Sequence, residues 1–173
     1  MIWLKIFSKL LKALQSGSSP KQLSAGFVLG MFLGMTPFLS LFSFIIISIT
    51  IILNVNISMF ILGSLIFGII GYMFDSLFHH FGYFLLVDVS ALESLWVFFV
   101  DTPLLSLLRL NNTTNLGSIV TSFIFLTPVY FATIYMVIKY RTRIGEKVNK
   151  LKITKIIKGS KLYSIYQKVT LIG

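Results

Sequence analysis

The sequence predicts an all-α integral membrane protein. About four apolar core helices, the first two open to reading as a re-entrant hairpin, would be flanked by interfacial amphipathic helices. Three observations predict this class. The chain is 56% hydrophobic and only 12% charged, with a mean hydropathy of +0.92, whereas soluble chains carry roughly 25% charged residues. Its 17 phenylalanines in 173 residues exceed what one soluble core hides, because a domain of roughly 150 residues leaves about 30% of its unfolded surface exposed. The formal charge of +10 is segregated. Lys5, Lys9, Lys12 and Lys21 stand at one end without an acid, and ten Lys and Arg against Glu146 alone fill residues 139–173. Between Gln22 and Ile138 the only charges are Asp75, Asp88, Glu93, Asp101 and Arg109, a net of −3. The chain has no cysteine, which removes disulfides and thiolate chemistry.

Residues 1–17 begin with MIWLKIFSKLLKALQ, in which Trp3, Phe7, Leu10 and Leu14 share one helical face and Lys5, Lys9 and Lys12 the other. That is an interfacial amphipathic pattern. A secretory signal keeps its lysines ahead of an unbroken apolar stretch, so cleavage is not expected here. The membrane domain is expected over 18–138. Ser18-Ser19-Pro20 offers an N-cap serine and a first-turn proline. Apolar helices are then expected over 22–35, 38–53, 57–74 and 116–138, broken by Thr36-Pro37, by Asn54-Val55-Asn56 and by an interfacial segment over 75–115. At 1.5 Å per residue the first two runs reach only about 21 and 24 Å, short of a hydrocarbon core of about 30 Å. Two short spans or a re-entrant pair both return the chain to its starting side at Asn54. The basic tail, 139–173, marks the cytoplasmic face, because Lys and Arg near span ends are retained inside. Both termini are therefore expected in the cytoplasm, with the acidic segment outside. Lys5, Lys9, Lys12, Arg141, Arg143, Lys147 and Lys150 are the expected contacts to anionic headgroups, each basic residue contributing about 1 kcal/mol at the surface. No stacking motif accompanies them, so nucleic acid is not an expected partner.

The sharpest motif is Gly26, Gly30 and Gly34, two overlapping small-xxx-small steps on one helical face. Ser64, Gly68 and Gly71, joined by Gly63, form a second small face, so an internal contact between the first and third runs accounts for both; a homodimer seam and a lipid or substrate groove are the alternatives. Thr36 and Pro37, with Ser40 and Ser43 following, are the expected tip if the first two runs form a hairpin. The second helix would then offer its positive N-terminal end and free amides to an anion. Asn54 and Asn56 are expected as turn caps. Asp75 and His79 lie at i, i+4 and are expected to hydrogen-bond to each other; with Glu93 they are the only candidates for interfacial catalysis. No metal is expected, since zinc needs at least three protein donors, and no cofactor motif is present.

From Ser19 to Val87 the residues resemble the bacterial membrane proteins of domain-of-unknown-function family 2062, in its compact stand-alone subgroup. The resemblance rests on Pro20, the spaced Gly26, Gly30 and Gly34, Thr36-Pro37, Asn56, Asp75, and His80-Phe81-Gly82. It implies a multi-pass inner-membrane protein of unassigned activity. Some members of the broader family are fused to glycosyltransferases, which implies work on envelope lipid or polysaccharide. Many members carry Gly-Leu-His after the proline, where this chain has Phe38-Leu39-Ser40. The function expected is thus a helix-packing scaffold or accessory subunit, as a homo-oligomer or with an envelope partner. The alternative is a small transporter or flippase for an anionic lipid-linked substrate. An enzyme is not expected.

Overall fold

The computed structural model of the chain describes residues 17–144. The N-terminal amphipathic segment with Lys5, Lys9 and Lys12, and the tail with Lys147 and Lys150, lie outside the described residues, as does the side chain of Arg143. Among the described residues every element is helical. In chain order they are α1 (Pro20–Met35), α2 (Leu41–Ile52), α3 (Ile57–Met73), α4 (Asp75–Tyr83), α5 (Glu93–Asp101), α6 (Pro103–Ser106) and α7 (Thr113–Lys139). A π-helical turn, Phe84–Asp88, and a 3-10 turn, Ser90–Leu92, join α4 to α5, and a second π-turn, Tyr140–Ile144, follows α7.

Local chemistry sets the helix ends. Ser19 caps α1 in a reciprocal box: its hydroxyl accepts from the Gln22 amide at 3.2 Å, and the Gln22 side chain accepts from the Ser19 amide at 3.0 Å. Two orphan amides are thereby satisfied, with Pro20 in the first turn where no donor is needed. Residues 38–40 belong to no helix, although the apolar run begins at Phe38; Ser40 is extended and takes the N-cap, its Oγ accepting from the Ser43 amide. Asn54 ends α2 in the left-handed region at φ 48°, a conformation asparagine tolerates better than most side chains. Asn56 caps α3 by accepting from the Met59 amide at 3.1 Å. At the far end, Asn112 caps α7 through the Asn115 amide, so the helix expected from residue 116 begins at Thr113. Residues 75–115 hold α4, α5, α6, two tight turns and the first turn of α7.

The helices assemble around α1. The α1 glycines meet α3 in ascending register, Gly26 with Asn56 and Phe60, Gly30 with Gly63 and Ser64, Gly34 with Ser64 and Gly68. Thus α1 and α3 run parallel. α2 makes the return, and the Asn56 amide donates to the Ser18 hydroxyl at 3.2 Å where the chain comes back to its starting end. α7 runs antiparallel to α1. Phe123 stacks edge-on against Phe32 at 4.9 Å, the Ser122 hydroxyl meets Met35 Sδ at 3.5 Å, Val137 joins Leu23 and Met59, and Arg141 donates to the Ser18 carbonyl at 2.8 Å. The remaining N-terminal third of α7 packs on α4. The main core comprises Val28, Met31, Phe32, Leu33, Ile46 and Phe60, so α1, enclosed by three other helices, is the buried axis of the bundle.

Among the described residues one helical stretch, Thr113–Thr142, is by itself long and apolar enough to cross a membrane. Ile57–Met73 with Asp75–Asp88 qualifies only as a pair, bent by 71°, and α2 is an apolar helix of 12 residues.

Candidate functional site: glycine seams and a polar clamp

The α1–α3 seam is a backbone-to-backbone contact. A Cβ added at Gly26 would lie 2.6 Å from the Asn56 carbonyl oxygen, and one at Gly34 would lie 2.5 Å from the Ser64 oxygen and 2.7 Å from the Gly68 nitrogen. At Gly30 it would strike the Phe60 carbonyl and lie 2.8 Å from the Ser64 nitrogen; at Gly63 it would strike the Phe27 carbonyl. Such proximity replaces side-chain packing with dispersion between main chains and weak Cα–H···O contacts. The seam is filled by the chain's own helices.

The seven residues of the small-residue set are not equivalent. A Cβ at Gly68 would sit 3.7 Å from the Gly34 oxygen, an ordinary contact, and one at Gly71 would sit 3.3 Å from Met35 Cα. Ser64 turns its hydroxyl to its own helix, donating to the Ile61 carbonyl at 2.9 Å. Gly68→Ala is therefore expected to be neutral or to stabilise by up to about 1 kcal/mol, through the helix propensity that glycine forfeits. Thermal unfolding in detergent measures this, and a loss larger than that of Gly30→Ala would contradict the register.

A second seam joins α4 to α7. A Cβ at Gly82 would meet the Thr113 carbonyl, and one at Gly117 would meet the Phe78 carbonyl and lie 3.1 Å from the Gly82 nitrogen. Sequence reasoning missed this pair. Gly82 has no small residue four positions away and stood out only within His80-Phe81-Gly82, while Gly117 is flanked at that spacing by Thr113 and Thr121.

Beside this seam lies a polar clamp. Asn115, 2% exposed, donates through Nδ2 to the Leu108 carbonyl at 2.8 Å and the Arg109 carbonyl at 3.0 Å, tying the loop before α7 to the helix. Its Oδ1 and the Ser24 hydroxyl are the buried side-chain atoms without a partner among the described residues. Arg109 adopts φ 52°, a left-handed conformation costing a non-glycine residue about 1–2 kcal/mol. Arg109→Gly should raise stability by up to about 1 kcal/mol once glycine's extra chain entropy is deducted. A lowered melting temperature would show that the Arg109 side chain outweighs the strain.

His79 departs from expectation. Its Nδ1 lies 2.6 Å from the Thr113 hydroxyl on α7, and no hydrogen bond joins it to Asp75. The reason is tertiary: the α4–α7 seam brings a hydroxyl closer than the neighbouring helical turn brings a carboxylate. Among the described residues no three His, Asp or Glu side chains converge as metal ligands.

At Thr36-Pro37 the hydroxyls are committed internally. Thr36 donates to the Phe32 carbonyl at 2.7 Å and Ser43 to the Pro37 carbonyl at 2.7 Å. Ser40 and Ser43 Oγ atoms stand 3.1 Å apart. Because Ser43 has spent its one proton on Pro37, Ser40 donates to Ser43. All three side chains are buried, and none retains a hydroxyl proton for an anion. At the opposite end Ser18, Gln22, Asn54, Asn56 and Ser58 line an open polar cleft where α1 and α3 begin.

The fold and its seams define an all-helical bundle held by close main-chain packing. Over residues 4–144 the chain matches the family described as an uncharacterized protein conserved in bacteria, DUF2062, and it belongs to that family. The match runs well past Ser19–Val87, through α7 and into the π-turn after it. No curated protein and no solved structure matches the chain.

Proposed function

We propose that the chain is a multi-pass protein of the bacterial cytoplasmic membrane, acting as a helix-packing scaffold or accessory subunit in the cell envelope. One observation carries this reading: large apolar side chains cover the outside of α2, α3 and α7, among them Phe44, Ile51, Ile69, Phe123, Phe131 and Met136. In water such a continuous apolar surface would drive aggregation; in lipid it costs nothing. The described charges gather at the ends, Lys21, Lys139 and Arg141 where α1 begins and α7 ends, the four acids and Arg109 at or beyond the bend after α3.

Lengths agree with this reading. From Arg141 to Ser122, level with Met35, α7 rises about 28 Å, close to a hydrocarbon core of about 30 Å. α2 is shorter, rising about 18 Å over its 12 residues, and the chain on either side of it, residues 36–40 and 53–56, completes the return to the end where α1 begins. We therefore read α1, α2, α3 and α7 as four crossings, with Thr36-Pro37 at the far surface and both termini in the cytoplasm. Both small-residue faces are occupied within the chain, so a partner would meet outward side chains such as Phe131 and Tyr135.

The absence of native cysteine makes single-cysteine labelling direct. In intact cells a cysteine at Asn111 should react with a membrane-impermeant maleimide, whereas one at Ser58 should react only after lysis. Extraction of the protein by alkaline carbonate, or labelling at both positions in intact cells, would overturn the topology. A cysteine at Phe131 should give a crosslinked adduct in native membranes; its absence would count against the scaffold role.

A further inference from the structure

Residues 84–110 form a wing that packs mainly on itself. The π-turn, the 3-10 turn, α5 and α6 contact one another. Within the wing Trp96 donates its indole N–H to the Leu85 carbonyl at 2.8 Å, and the Asn115 amide ties the wing to α7 by gripping the Leu108 and Arg109 carbonyls. Outside these ties the wing leaves Leu95, Val97, Phe98, Val100, Leu104 and Leu107 uncovered, Phe98 at 60% and Leu104 at 69% exposure. The chain turns by 71° between α3 and the helical stretch Asp75–Asp88 that leads into the wing. The chain thus enters the wing turned well away from the direction of α3.

We infer that this wing is a lipid-docking surface, seated in the acyl–headgroup boundary of the leaflet opposite the chain's termini. The inference rests on the membrane reading above and deepens it. The uncovered apolar side chains of α7 begin at Phe123, about two helical turns from the Asn115 clamp that holds the wing at that end of the bundle. The internal bond of Trp96 removes the need for water at the indole nitrogen, which suits a ring lodged among acyl chains. Asp88, Glu93 and Asp101 on the same segment need the headgroup layer. On α5 the side formed by Leu95, Phe98 and Phe99 lies opposite Glu93 and Asp101, with Val97 and Val100 among the acids; a helix so divided settles about 5–10 Å into the boundary and no deeper.

The test uses the full-length protein. Trp3→Phe leaves Trp96 as the single tryptophan, since the chain has two. After reconstitution into phosphatidylethanolamine–phosphatidylglycerol vesicles, Trp96 emission should be blue-shifted and should lose most of its intensity to lipids brominated near the headgroup. Lipids brominated near the chain end should quench it less. Adding Phe98→Asp and Leu104→Asp should shift emission towards that of water-exposed indole, with helicity by circular dichroism unchanged. Quenching of Trp96 by aqueous iodide and by no brominated lipid would overturn the wing, as would stronger quenching from the chain-end bromines. A bimane on a cysteine at Phe125 of α7 separates the two readings. If brominated lipids quench the bimane while Trp96 stays in water, the membrane reading stands and the wing falls; if neither is quenched, both fall.

Discussion

Gly30→Leu is expected to abolish the bundle. Even the first carbon of the new side chain would strike the Phe60 carbonyl and lie 2.8 Å from the Ser64 nitrogen and 3.0 Å from Gly63 Cα. All three obstacles are main chain, which cannot swing aside as a rotamer can. Relief requires parting α1 from α3, and that removes the contacts by which Val28, Met31 and Phe32 are buried with Phe60. Overpacking of cores costs about 1–3 kcal/mol when side chains can yield; here the cost should stand at or above that range. Gly30→Ala should already lower the melting temperature clearly, with Gly68→Ala as the matched substitution on the opposite helix that should not. A Gly30→Leu protein that unfolds at the parental temperature in detergent would disprove the α1–α3 register.

Gly117→Val should have the second-largest effect, and a more local one. Its Cβ would collide with the Phe78 carbonyl, lying 2.8 Å from the adjoining carbon. α4 would be pushed from α7 while the α1–α3 seam, at the other end of α7, keeps its packing. The His79–Thr113 contact, 2.6 Å across this interface, would open with it. Limited proteolysis should then cleave within 75–112 far faster than in the parent, with the α1–α3 core persisting as a protected fragment. Uniform protection of both regions, or simultaneous loss of both, would show that the seams are not the separable units the geometry describes. Gly82→Val should reproduce the effect, since its Cβ meets the Thr113 carbonyl on the same interface.

The two seams differed in how visible they were in the sequence. Gly26, Gly30 and Gly34 repeat at four residues, and a repeat at helical spacing declares a face without reference to any partner. Gly82 and Gly117 are single residues on different helices; what joins them is the antiparallel approach of α4 to α7, which periodicity does not encode. Asn115 was hidden for a similar reason, since a run of asparagine and threonine reads as a turn until Asn112 is seen to cap a helix. His79 was paired with the wrong partner because i, i+4 spacing speaks only for one helix.

What the sequence by itself determined is what depends on composition and local chemistry. These are the all-helical class, the serine and asparagine caps, the separation of charges and membership of the family, whose signs were present before any coordinates. Tertiary structure alone decided that α1, rather than α3 with its equal number of glycines, is the buried axis. It also set α7 against α1 and built the second seam. Each of these follows from which main chains can approach to within van der Waals contact, a property of pairs of helices in space that no single stretch of sequence carries.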